Sequence, residues 1–202
     1  MKTHFIADPH FDHERLMNIT ARPFPDVEVW NQLLLDNINS QVGRNDRLII
    51  LGDFGFSKRI GHFKQAIVCR HVELVLGNHD QESKCRNHFG GAIWHQRTIR
   101  FFDTKLYMSH YPHCYWDQSH HNSMHIYGHL HNQREAYLNT IWPERRSMDV
   151  SPDTAFELFG EWRPFADHEI YDILSSRKGH DQLEYYYEYQ HKLAEKRQCS
   201  SE

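Results

Sequence analysis

Hydrophobic residues come in short runs over the first two-thirds of the chain, and five of these runs end in a compact polar group. Thr3–Ala7 leads into Asp8-Pro9-His10, Arg47–Leu51 into Gly52-Asp53, and Val72–Leu76 into Gly77-Asn78-His79-Asp80. Lys105–Ser109 leads into His110, and Met124–Tyr127 into Gly128-His129-Leu130-His131. Apolar runs of this length, bounded by glycine, proline or polar residues, predict buried strands. Pro9 has no N–H to give to a ladder and so ends the first of them. One folding pattern would bring all five polar groups to the same sheet edge.

Between the early strands the spacing becomes helical. Asp26 suits the N-cap of a helix with Val29, Leu33, Leu34 and Ile38 on its inner face, ending near Gly43. Ser57 can cap a second helix, with Ile60, Phe63 and Ile67 turned inward. Strand, polar loop, helix, strand is the rhythm of an α/β unit. From Ala92 consecutive strands are predicted at Ala92–His95, Thr98–Phe102 and Lys105–Ser109, the last two pairing antiparallel across Asp103-Thr104. Glu135–Leu138 and Ser147–Val150 read as further strands, and Asp167 as the cap of a helix through Ile170, Ile173 and Leu174. A final helix over Asp181–Lys196 carries a tyrosine-rich stripe that we expect to pack on its own domain. The expected organisation is a single domain over residues 1–175 with a helical extension over 176–202 packed against it. The fold class is α/β: two packed sheets flanked by helices.

Composition narrows the possibilities without naming a function. A chain of 202 residues with 39% hydrophobic residues can bury one substantial core. With 25% charged residues and a mean hydropathy of -0.77 it reads as soluble. A net charge of -4 provides no basic stripe of the kind that tracks a duplex backbone. The four cysteines have neither metal-finger spacing nor the density of a disulfide scaffold, which points to a reducing, cytoplasmic setting. No run has membrane-spanning length and no signal core precedes the first strand, so no membrane partner is expected. Histidine is the outlier at 18 residues, and imidazole is a common metal ligand.

Borderline divalent cations favour mixed carboxylate, imidazole and carbonyl donors. Asp8 and His10, two apart on an extended turn, can chelate one ion. Asn78 and His110 suit another, His129 and His131 can divide between the two, and Asp53 is the natural shared ligand. In order and spacing, Asp8-Pro9-His10, Gly52-Asp53, Gly77-Asn78-His79-Asp80, His110 and Gly128-His129-Leu130-His131 resemble the calcineurin-like metallophosphoesterases. The narrower set Asp8-Pro9-His10-Phe11, His13, Arg22-Pro23-Phe24, Asn39 and Arg163-Pro164-Phe165 resembles a compact bacterial and phage-type branch of that superfamily.

The resemblance implies a four-layer αββα sandwich of two mixed sheets. It implies Asp8, His10, Asp53 and His131 as ligands of one metal, with Asp53 bridging to a second held by Asn78, His110 and His129. His79 would sit over the leaving group as a general acid or transition-state stabiliser, and a metal-bridging hydroxide would attack phosphorus. Two divalent ions are implied, Mn2+ first, with Fe, Zn, Ni or Mg as other candidates. One position departs from the pattern: many relatives carry an aspartate three residues after the bridging one, and here that place holds Phe56. Asp12 and Asp80 are then the candidates to orient His79, while His13, Arg22 and Asn78 are candidate substrate contacts, Arg22 for its oxyanion fork.

The function expected from the sequence is therefore a dinuclear phosphodiesterase or phosphatase acting on a small or single-stranded phosphate ester. A nuclease working on DNA or RNA ends is the alternative within the enzyme class. A catalytically silent binding scaffold and a histidine-rich metal store are the alternatives outside it. The sequence leaves monomer or homo-oligomer open.

Overall fold

The computed structural model describes residues 1–20, 22–56 and 59–179. Strands β1 (Thr3–Ile6), β2 (Arg47–Leu51), β3 (His71–Val75) and β4 (Ile93–Trp94) lie parallel in one sheet, in the order β4-β3-β2-β1. A second sheet contains β5 (Gln96–Phe101), β6 (Thr104–Ser109), β7 (Met124–Tyr127) and β8 (Ser147–Asp149). Its first pair is antiparallel and the others parallel. Strand β9 (Phe165–Ala166) joins the first sheet antiparallel to β1, so both sheets are mixed.

The two-residue alternation of strand side chains explains the layering. Leu48 and Ile50 of β2 face a core with Trp30, Leu34 and Ile38 of helix α2 (Val27–Gln41). The same core takes Phe63 of α3 (Ile60–Ala66) and Cys85 and Phe89 of α4 (Glu82–Phe89). Ile49 and Leu51 face the other way, onto Leu106, Met108, Met124, Ile126 and Met148 of the second sheet. A sheet covered on both faces reads as the unbroken apolar run seen in the sequence. On the far face of the second sheet, Tyr127 donates its hydroxyl proton to Glu135 of α5 (Glu135–Ile141). The fold is two mixed sheets flanked by helices, as the sequence led us to expect.

Several local expectations are corrected. Glu135–Leu138 is the start of helix α5 and not a strand: Glu, Ala and Leu are strong helix formers, and Arg145 pairs with Glu135 in the buried turn beneath it. Ala92–His95 supplies only β4, which belongs to the parallel sheet. The β5–β6 turn falls one residue earlier, on Phe102-Asp103, because Phe101 pairs with Thr104. Val29 is 42% exposed, and Trp30 takes its inward place, its indole N–H donating to the Pro9 carbonyl at 3.0 Å. Asp26 caps α2 by accepting from Val29 N at 2.9 Å. Asp167 is the first residue of α7 (Asp167–Ser175) rather than its cap, and accepts from Thr3 N at 3.2 Å, tying that helix to β1.

Helices α1 (Glu14–Ile19), α4 and α6 (Pro152–Phe159) were not anticipated. The signal for α6 was nonetheless present: Ser151 caps it and Pro152 occupies its first turn. The cap proposed at Ser57 and the helix proposed over Asp181–Lys196 lie outside the described residues. No described helix is long and apolar enough to cross a membrane.

Candidate metal centre

The polar groups at the ends of β1, β2, β3, β6 and β7 meet at one edge where the two sheets face each other. Their backbone is unusual. Asp8, His10, Asp53, His129 and His131 all adopt left-handed conformations, with φ of 53°, 49°, 53°, 70° and 47°. For residues other than glycine such a conformation costs on the order of 1–3 kcal/mol each and persists only where the surroundings impose it. Here they do. Asp8 N donates to Gly52 O at 3.1 Å and His10 N to Asp53 O at 3.0 Å. Asp80 braces the next two loops, accepting from Asp53 N at 2.7 Å, Phe54 N at 3.0 Å and Gly77 N at 2.9 Å. The loops pack so closely that a Cβ on Gly77 would lie 2.2 Å from Asp53 Oδ1.

The side chains converge accordingly. His10 Nε2 lies 3.6 Å from Asp8 Oδ1 and 3.5 Å from Asp53 Oδ2. His110 Nε2 lies 3.5 Å from Asp53 Oδ2 and 2.9 Å from Asn78 Oδ1. His129 Nδ1 is 3.0 Å from the same Asn78 oxygen. Two groups have donor atoms mutually close enough for one ion: Asp8 with His10 and His131, and Asp8 with Asp53 and His110. Asp8 is common to both, whereas the family resemblance assigns the shared role to Asp53.

The donor set fits divalent cations. Asp8 Oδ1 and His10 Nε2 are buried and have no hydrogen-bond partner, an arrangement that is costly unless something satisfies them. His110 Nδ1 sits 2.9 Å from the Leu51 carbonyl, to which it donates. In the neutral ring, Nε2 then presents a lone pair to the Asn78 and Asp53 oxygens. A cluster of acceptors without protons between them suits a cation.

The electrostatics agree. Burial would raise the Asp8 carboxyl, but His131, His10 and His110 around it hold it well below the usual carboxylate range. Burial drives His10 down to about 3 against the pull of Asp8, leaving a neutral ring able to ligate. Asp53 is pushed up to about 6 by burial, with His110 opposing and Asp8 adding to the rise.

His79 is exposed, its N–H donates to Asp53 Oδ1 at 2.8 Å, and its ring lies edge-on to Phe56 with centroids 5.6 Å apart. The rings of His10 and His13 also flank it, at 5.6 and 5.3 Å. The two carboxylates suggested as its orienting partner have other contacts. Asp80 braces the backbone, and Asp12 is engaged by Asn31 and Arg59. His13 stands behind the site, Nδ1 to Nδ1 with His10 at 3.0 Å, and stacks on Phe56 at 4.4 Å. Arg22 is buried, lies 3.9 Å over the Trp30 ring, and donates from Nε and Nη2 to Asp153 at 3.0 and 2.7 Å.

Two residues of the site were missed in the sequence. Asp153 approaches His131 Nδ1 at 3.3 Å, so Arg22, Asp153 and His131 form a chain into the centre. Asp149 is fully buried and accepts from Ser151 N and Thr154 Oγ1; burial, with Asp8 and Glu135 near, pushes it up to about 7. It ends a strand in the same way as the five groups that were noticed, which was the available signal. Asn39, also singled out, joins α2 to the end of α3 through Ala66 O and Val68 N. Arg163 pairs with Glu169.

No family model matches the chain. The gene 66 protein of Mycobacterium phage L5 is 30% identical over 205 residues, covering 86% of this chain and 94% of the phage protein. The chain belongs to the family of that phage protein. An uncharacterized protein of Methanocaldococcus jannaschii is 29% identical over 153 residues, 74% of this chain and 81% of that one. A solved protein of unknown function from Aquifex aeolicus has the same fold, with a TM-score of 0.68 at 21% identity over 85% of this chain and 98% of its own. The chain is an α/β fold of two mixed sheets face to face between helices, with these motifs at the strand ends. Yfce, a phosphoesterase from E. coli, overlaps more loosely, with a TM-score of 0.42 at 20% identity over 75% of this chain and 79% of that one.

Proposed function

We propose that the protein is a metal-dependent phosphoesterase with a two-ion centre. The observation that carries this reading is the convergence of seven side chains from five strand ends, with Asp8 Oδ1 and His10 Nε2 buried and unpartnered among them. Asp8, His10, Asp53 and His131 would hold one ion, and Asp53, Asn78, His110 and His129 the other, with Mn2+ the first candidate. When bound, the ions supply Lewis acidity to phosphate oxygens and make an attacking water more acidic.

The chain's own groups do the rest. Asp53 is fixed at Oδ1 by the His79 N–H, so its other oxygen stays turned to His10 and His110. His79 reaches solvent at the rim, where a departing oxygen could take its proton. The rings of Phe56 and His13 limit where the imidazole can go, taking by packing the part that a carboxylate plays in many relatives. A cytoplasmic setting remains our expectation on the cysteine usage, and a small or single-stranded substrate on the acidic balance of the chain.

The test uses Mn2+-loaded protein with p-nitrophenyl phosphate and bis(p-nitrophenyl) phosphate. Asp53→Asn is expected to lose both bound metal and turnover. His79→Ala is expected to lower kcat by about 10²- to 10⁴-fold with the metal content, read by elemental analysis, retained. Full activity in Asp53→Asn would overturn the reading.

A further inference from the structure

Two clefts flank the ligand cluster and share no lining residue. One, of about 550 Å³, is bounded by His131 and runs between Arg22, Asp153, Phe156 and Trp162. The other, of about 450 Å³, is bounded by Asn78 and His110 and runs past Tyr111, Gln96 and Glu82. Each is large enough for a small organic group, since ligand pockets span roughly 300–1,000 Å³. A phosphate with one organic substituent fills one cleft. A phosphate with two can fill both while its free oxygens stay at the ligand cluster between them.

The linings describe those substituents. In the first cleft Phe156 and Trp162 stack face to face at 3.7 Å and 6°, and Phe156 is 41% exposed, so a flat aromatic surface is presented. Arg22 is the only Lys or Arg among the described lining residues, and its charge is matched by Asp153. Its buried Nη1 has no partner and can donate to an uncharged oxygen. In the second cleft Tyr111 is 48% exposed, and Glu82 lies 3.6 Å from His95 Nε2. Glu157 in the first cleft would repel a substituent bearing a further phosphate, while in the second the Glu82 charge is matched by Arg86, so that cleft offers a further phosphate no unmatched lysine or arginine among its described lining residues. Aromatic surface joined to acidic polar groups suits uncharged rings and not a continuing nucleic-acid backbone.

We infer that the site takes a small phosphodiester with two uncharged, ring-bearing substituents, one in each cleft. The inference rests on the phosphoesterase reading and extends it to a substrate class. Loss of a fitted apolar group from a hydrophobic pocket is worth about 10- to 200-fold, which sets the size of the effect sought.

The experiment compares wild type with Phe156→Leu and Tyr111→Leu, all loaded with Mn2+ and with metal content verified. The substitutions keep bulk and remove the flat ring. For bis(p-nitrophenyl) phosphate, kcat/KM should fall about tenfold or more in both variants. The ratio of that value to the one for p-nitrophenyl phosphate should fall in at least one, because a monoester engages a single cleft. Unchanged diester hydrolysis in either variant overturns the proposal. Calorimetric binding of diphenyl phosphate separates the two levels of inference. Binding weakened by both substitutions, without hydrolysis of either reporter, supports the clefts and refutes the phosphoesterase reading. Binding that is absent, or equal in all three proteins, refutes the clefts whatever the turnover.

Discussion

Gly128 stands where a Cβ would lie 2.3 Å from Asp8 Oδ2 and 2.5 Å from Ala7 Cβ, both rigid neighbours deep in the site. Gly128→Ala must therefore push Asp8 or the His129 loop aside, and metal retained after dialysis is expected to drop at least about tenfold, on the scale of displaced ligand supports. Asp153 acts one step further out, holding His131 through Nδ1. Asp153→Asn keeps the shape but loses the charge, and competition against a chelator should show metal affinity reduced by about 10- to 100-fold. The candidate ligand positions stood out in the sequence because they come just after apolar strands. Asp153 was not: it sits inside a helix, and its partners His131 and Arg22 are brought to it only by folding. Arg22 illustrates the same limit, since its type suggested a substrate contact and its surroundings give it a buried partner instead.

At the level of elements, α2 supports the β1 end of the site. Its Trp30, Leu34 and Ile38 form one buried row beneath Ile6 and Phe11, and Trp30 holds the Pro9 carbonyl in the loop between Asp8 and His10. Leu34→Ala is expected to cost about 2–5 kcal/mol, read as a lower urea midpoint. Helix α2 was readable because Asp26 caps it and its apolar rows are long. The Glu135 helix was misread because seven residues contain too few turns to separate helical from strand periodicity. Its identity is settled by the Tyr127–Glu135–Arg145 contacts beneath it, which join residues from three separate segments.

For the whole molecule, the far face of the second sheet carries a pH-sensitive element. His125 is fully buried; its Nδ1 lies 3.2 Å from Tyr107 O, to which it donates, and its Nε2 accepts from His113 N at 3.2 Å. Burial pushes its pKa from the ordinary 6.5 down to about 3. Between those values the unfolded chain binds the proton and the folded chain does not. The stability it contributes is complete above about 6.5 and is lost as pH falls toward about 3. His125→Gln should flatten that part of the decline, measured as urea midpoints across the window; an unchanged slope would show that other groups carry it. The sequence by itself determined the strands of both sheets except β9, the α/β class and the candidate ligands, because strand alternation and polar strand ends are local properties of the chain. The tertiary structure alone decided which donors meet, that Asp8 belongs to both groups, that Phe56 and His13 hem in His79, and that separate clefts flank the centre. Those features depend on distances between residues far apart in the chain, and such distances exist only once the two sheets have packed.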